Sequence, residues 1–308
     1  MHYLLKAAVQ NAVAWLPRPL GQPLYYQLQR RFGALRQVDY WRHLEKAAKI
    51  AGILRQQNLP LERCFLEVGT GWVLGTPLGL WLAGAAEVIT VDLHSYLKEE
   101  LVLGLLTYVG AHAAELPALF PWVPRAELAR KAQVLAGCHS LAELWAAVPI
   151  RYAAPADATR LELPAASVDY HYSTNVLEHV PAATLAGLLA EARRVLRPGG
   201  YLVHLVDLSD HFGHDDPRRT AVHFLRHGPL AWRLLAGNRF MYQNRLRLPQ
   251  YRALFAAAGL PIAWERAVTD APSLALLQAP RPPVHPQFRR FSAEELASVY
   301  WEVLAVNP

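Results

Sequence analysis

The chain has 308 residues, 53% hydrophobic and 18% charged, which is enough apolar material for one large domain with insertions or for two small ones. It holds no low-complexity tract, no apolar run of membrane-spanning length and no lysine-rich start before a small-residue cleavage site, so a folded cytoplasmic protein is expected. Two cysteines, Cys64 and Cys138, exclude a disulfide framework or zinc cluster; the net charge of +6 points to anionic partners, but without any nucleic-acid-binding signature, so nucleic acid is not expected and peripheral membrane contact stays open.

In residues 1–16, Leu4, Leu5, Ala8, Val9, Ala12, Val13 and Leu16 follow helical spacing, and Pro17 and Pro19 end the helix. Only Lys6 is on its polar side, so docking on protein is expected before an interfacial role. Residues 39–56 predict a second helix, with Trp41, Leu44, Ala48 and Ile53 on one stripe. "RCFLEVG" and "EVITVDL" read as buried parallel strands. "TPLGLWLAGA" between them reads as a helix with Thr76 as N-cap, Pro77 at the first helical position and Gly84 near its end. Residues 96–148 predict a helical insertion, a candidate lid.

The alternation then resumes. "IRYAA" and "SVDYHYSTN" are strands, "PAATLAGLLAEARRVLRPGG" a helix stopped by Pro198 and its glycines, and "YLVHLVDL" a strand. Residues 209–245 have weak periodicity and read as a second insertion. "PQYRALFAAAGL" is a helix, "PIAWERAV" a strand, "SAEELA" a short helix and "VYWEVLAVNP" the last strand.

In such α/β sheets ligands bind outside the carboxyl ends of the strands. The first strand ends in Glu67-Val68-Gly69-Thr70-Gly71. A dinucleotide fingerprint would need glycine at position 73 or 74, where Val73 and Leu74 stand; Gly75 comes too late. Asp92 follows the loop by about 20 residues, the place of a carboxylate that accepts from ribose hydroxyls. Later strand ends carry Asp157, Asn175 to His179, and Asp207.

"LEVGTGW", "VITVDL", "ADATRLELPAASVDY", "STNVLEHVP" and "EARRVLRPGGYLV" stand in the order found in class I S-adenosylmethionine-dependent methyltransferases, which the chain resembles over residues 61–93 and 150–206 and more weakly over 246–268. The resemblance implies a Rossmann-like, mostly parallel sheet of seven strands with helices on both faces. Residues 1–60 then form a helical extension and 61–308 the methyltransferase domain with its two insertions. It also implies S-adenosyl-L-methionine as cofactor and S-adenosyl-L-homocysteine as product. Glu67, Gly69, Thr70 and Gly71 would line the methionine part, and Asp92 with Leu93 the ribose. Asp157 and Ala158 would receive the adenine, and Asn175 and Val176 would floor the sulfonium. Trp72 packs over the cofactor or into the core at the helix start. The cofactor has no phosphate, so the loop need not build a phosphate cradle.

Methyl transfer asks for alignment, and for a general base when the acceptor is a hydroxyl or protonated amine. The candidates are His211, His214, His179 and Asp207, with Glu178 and Asp210 beside them and His204 expected to be buried. The segment "HLVDLSDHFGHDD" fits a base with an orienting carboxylate, a metal site, or a solvated loop whose polar side chains cap turns; the first is preferred, with no metal assigned. Arg218, Arg219, Arg226, Arg239 and Arg245, interleaved with Trp232, Phe240 and Tyr242, fit either an anionic acceptor or ordinary packing. The expected acceptor is a small molecule or glycan, methylated at oxygen, with nitrogen and a non-catalytic cofactor-binding role as alternatives.

Overall fold

A computed structural model describes residues 3–213 and 219–308. Seven strands form one sheet in the order β3-β2-β1-β4-β5-β7-β6: β1 is Cys64–Val68, β2 Glu87–Val91, β3 Ile150–Ala153, β4 Val168–Thr174, β5 Leu196–Asp207, β6 Ile262–Thr269 and β7 Ser298–Val306. β1 pairs in parallel with β2 and β4, and β2 with β3; Phe65 lies beside Val88 on one side and Tyr170 on the other. The chain runs outward from β1 to β3 and returns at β4, so the switch point lies between β1 and β4. That is where the motif-bearing loops emerge.

The helices are α1 (Tyr3–Trp15), α2 (Arg18–Phe32), α3 (Tyr40–Gln56), α4 (Gly75–Ala83), α5 (Glu99–Ala111), α6 (Leu116–Leu119), α7 (Arg125–Ala136), α8 (Leu141–Ala147), α9 (Ala182–Val195), α10 (Pro229–Ala236), α11 (Leu248–Ala257), α12 (Ala271–Leu277) and α13 (Ala293–Ala297). None of them, among the described residues, is long and apolar enough to cross a membrane. The chain forms two compact units, one of residues 38–174, 187–203 and 304–308, the other of 1–37, 175–186 and 204–303.

In the first unit α3 packs on α4. Asp39 caps α3 by accepting from the Arg42 amide at 3.0 Å. Its buried stripe is Leu44, Ala47, Ile50, Ala51 and Leu54, with Ile53 also buried; Trp41 and Ala48, expected on the stripe, are only half-buried. The helix is rotated toward small residues because α4 presents glycines. A Cβ on Gly79 would sit 2.4 Å from Ala47 Cβ, and one on Gly75 would sit 2.4 Å from His43 Cβ. The late glycine of the loop is therefore a helix-packing residue.

Helix α4 opens two residues earlier than expected. Leu74 is its N-cap, without a side-chain bond, and Thr76 and Pro77 are buried in the first turn. Val73 and Leu74 are themselves buried, which turns the chain inward before Thr76 can cap anything. Gly84 ends the helix as expected, with φ +117°. Farther along, α9 stops at Val195 and β5 begins at Leu196, ahead of "RPGG". The Asn307 side-chain amide donates to the Arg193, Leu196 and Arg197 carbonyls there, which takes over what another helical turn would have supplied.

In the second unit Ala7, Phe212, Phe224, Trp232, Phe288 and Leu296 share one core cluster. The docked face of α1 supplies Ala7, in line with the expected docking. Helix α2 was not legible: Pro17 and Pro19, which end α1, also open α2, as its N-cap and second residue. The described part of the weakly periodic stretch after β5 contributes to a packed core. Arg245 donates to the Phe224 and His227 carbonyls at 3.0 and 2.7 Å, and its guanidinium lies over the Trp232 and Phe288 rings.

Candidate active site

The loop after β1 is organised by polar groups that sequence motifs alone do not join. Glu67 is fully buried and accepts from the Thr90 hydroxyl at 2.5 Å; Thr70 lies 2.6 Å from the same hydroxyl. Thr90 is the one polar residue between the ends of "VITVD", an alternation signal that could have marked it. Burial pushes the Glu67 carboxyl up to about 8, against the Thr90 hydrogen bond, with the Asp92 charge adding to the rise. Asp92 accepts from the Gly71 amide through one oxygen and from the His94 amide through the other, both at 2.9 Å. Burial raises its pKa too, despite those bonds. Gly69 and Gly71 have φ of +92° and +70°, and a Cβ on Gly71 would meet no atom within 4 Å. The loop thus borders open space with two desolvated carboxylates behind it.

Trp72 is half-buried, its ring 4.8 Å from that of Tyr96, and Leu93 is exposed. Asp157 is exposed; one of its oxygens accepts from the Thr159 amide and hydroxyl, both at 2.8 Å, and these bonds lower its pKa. Ala158 is half-buried beside it.

In the second unit, Asn175 follows β4 with φ +56°, and its amide donates to the Leu205 carbonyl at 2.8 Å. Its Oδ1 is buried and accepts no hydrogen bond among the described residues, the kind of atom a bound polar ligand satisfies. Val176 is half-buried and opens the turn that places Glu178 and His179, accepting from the His179 amide.

Asp207 ends β5. One oxygen accepts from the Ser209 amide at 2.9 Å and hydroxyl at 2.5 Å, and the other lies 3.5 Å from His211 Nε2. Burial would raise its pKa, but the bonds to His211 and Ser209 outweigh that and hold the carboxyl below the usual range. The His179 and His211 rings are 5.0 Å apart. His179 Nδ1 lies 2.7 Å from the Tyr242 carbonyl, which can only accept, so Nδ1 carries the proton and Nε2 the lone pair. His179 keeps an exposed edge, yet desolvation of its ring, helped by His211, lowers its pKa to about 4 and keeps it neutral. Glu178, His179 and His211 each bring a ligand atom within 4.8 Å of the others, a donor set of the kind that accepts a divalent ion. His204 is buried as expected. His214 and Arg218, with Asp215 and Asp216, lie outside the described residues.

Residues 127–204 match a family model described as a methyltransferase domain, and the strand order agrees with the sheet expected for it. The matched segment is therefore similar to a methyltransferase domain. No curated protein matches the chain. Among solved structures it resembles an S-adenosylmethionine-dependent methyltransferase from Mesorhizobium loti, at 21% identity and TM-score 0.44 over 85% of this chain and 99% of that one. It also resembles a SAM-dependent methyltransferase from Methanosarcina mazei, at 15% and 0.43 over 82% and 96%. A third likeness is to geranyl diphosphate C-methyltransferase from Streptomyces coelicolor, at 14% and 0.43 over 85% and 77%.

The cofactor that the sequence resemblance implies is S-adenosyl-L-methionine. The loop suits it chemically: Glu67 and Asp92 are desolvated carboxyl groups whose ionised forms gain from a cationic ligand.

Proposed function

We propose that the protein is a methyltransferase that transfers a methyl group to an oxygen of a small-molecule or glycan-like acceptor, with His211 as general base and Asp207 as the carboxylate that orients it. When bound, S-adenosyl-L-methionine supplies the electrophilic methyl. Glu67, Gly69, Thr70, Gly71, Trp72, Asp92, Leu93, Asp157, Ala158, Asn175 and Val176 are the residues we assign to holding it.

The Asp207–His211 pair carries the reading. Its 3.5 Å separation turns Nε2 toward the carboxylate, so Nδ1 is the nitrogen to which the acceptor hydroxyl would pass its proton. Asp207, kept ionised by Ser209 and His211, then stabilises the imidazolium. His179 stays neutral beside it and adds no repelling charge while that proton moves. An anionic acceptor is supported by Arg219 and Arg226, whose guanidinium nitrogens lie 2.6 and 2.9 Å from opposite nitrogens of His223. His223 in turn lies 3.8 Å from Asp210, the neighbour of His211 in the chain. Arg245 is spent on backbone carbonyls, so it is not part of this set.

The test is His211→Ala in an assay that follows S-adenosylhomocysteine release over a panel of sugar phosphates, uronic acids and phenols. S-adenosylhomocysteine affinity should stay within about twofold, while kcat on the accepted compound falls about 100-fold or more. Wild-type turnover in the variant would remove His211 from the reaction.

A further inference from the structure

Among the described residues, nine large apolar side chains stand exposed on three helices of the second unit. They are Leu4, Leu5, Val9 and Trp15 on α1, Leu20, Leu24 and Phe32 on α2, and Leu230 and Leu234 on α10. Trp15 is 90% exposed, Phe32 76%, Leu230 71% and Leu234 68%. Scattered singly such residues mean little, but these follow helical spacing. On α1, Ala7, Gln10 and Val13 face inward, while Leu5, Ala8, Val9, Ala12 and Trp15 form a continuous outward stripe. Leu20 and Leu24, and Leu230 and Leu234, are each one turn apart.

The helices are also neighbours. Helix α1 packs on both α2 and α10. The Asn11 side chain donates to the Leu234 carbonyl at 2.9 Å, and Ala7 of α1 enters the same core cluster as Trp232 and Ala236 of α10. The inner faces of α1 and α10 therefore share one core, and their outer faces share one surface.

The sequence stretches that supply these helices carry positive charge, although Arg245 and Arg247 are buried and Arg252 pairs with Glu265. Residues 1–38 carry Lys6, Arg18, Arg30, Arg31 and Arg36 and no Asp or Glu; residues 217–264 carry eight arginines and no carboxylate. Those two stretches hold thirteen positive charges in a chain whose net charge is +6, so the remainder of the chain is net negative. Arg18, Arg30, Arg31, Arg36 and Arg233 are exposed. Phosphates of a nucleic acid would pair with the arginines but leave the leucines and Trp15 without a role. A second copy of the chain docked by the same faces would bring arginine against arginine. A bilayer rich in anionic lipid satisfies both features: headgroups meet the arginines, and the apolar stripe enters the headgroup–acyl boundary.

We propose that the outward faces of α1, α2 and α10 seat the protein on an anionic membrane surface without spanning it. The test uses the full chain in sedimentation with vesicles of phosphatidylcholine alone and of phosphatidylcholine with 30% phosphatidylglycerol. Binding to the anionic vesicles should exceed binding to the neutral ones by about tenfold or more and weaken as salt rises from about 50 to 300 mM. Leu230→Ser with Leu234→Ser should lower it by about tenfold, and Arg30→Gln with Arg31→Gln should lessen the anionic preference. All four side chains are exposed, and unchanged circular dichroism and melting would show that the fold is kept. Absence of vesicle binding would overturn the proposal. So would equal binding to both vesicle types, or concentration-dependent self-association abolished by the same leucine substitutions.

Discussion

Glu67→Gln isolates the most perturbed carboxyl behind the loop. In the folded protein this group titrates near 8 instead of 4.5, because it is fully buried and lies close to Asp92. Between those two values the folded state keeps the proton that the unfolded chain has released, so stability falls as pH rises through that window. The slope approaches about 1.4 kcal/mol per pH unit, and between pH 5 and pH 7 the accumulated loss from this group is about 2.5 kcal/mol. Glutamine keeps an oxygen for the Thr90 hydroxyl and has no proton to lose. Urea denaturation of both proteins at pH 5, 6 and 7 should therefore show the variant gaining on the wild type by about 2.5 kcal/mol across the series, since titrating groups that are not coupled to Glu67 cancel in the difference. Stability curves that stay parallel within about 0.5 kcal/mol would refute a raised Glu67 pKa. They would also remove the argument that the loop gains from a cationic ligand.

Two further substitutions address the loop and the helix behind it. Asp92→Ala removes the acceptor of both the Gly71 and His94 amides as well as the assigned ribose ligand, so S-adenosylhomocysteine affinity by calorimetry should fall at least about 30-fold; unchanged affinity would contradict the placement. Gly79→Val drives a side chain into Ala47 and should cost about 1–3 kcal/mol of stability in urea, with part of the loss recovered by adding Ala47→Gly; a neutral single variant would show that α3 and α4 do not need this close approach.

The order of elements was legible because each signal is local. Apolar β-branched runs gave β1, β2 and β4 within a residue or two of their observed limits, and glycine set the end of α4. What failed depended on a neighbour distant in sequence. The apolar stripe of α3 was misread because its facing partner, α4, offers glycines at 75 and 79, so small Ala47 could be buried in preference to Trp41. Helix α2 was hidden because a proline pair that stops one helix is equally suited to start the next. The arginines of the second insertion fitted a ligand or packing equally well in the sequence, and Arg245 is a structural cation, bonded to two carbonyls and stacked on two rings.

The sequence by itself determined the sheet and the carboxylates at the strand ends, because motifs such as "LEVGTG" and "LEHV" hold their chemistry within a few residues of a strand terminus. Only the tertiary structure decided what those groups become. Thr90 reaches Glu67 because β1 and β2 are adjacent strands, and burial makes that carboxyl hold its proton. His179 meets His211 through the return of the chain at β4 and β5. Gly75, which seemed a displaced ligand glycine, serves the contact with His43. Distance and desolvation between residues far apart in the chain set protonation and packing, and a linear motif encodes neither.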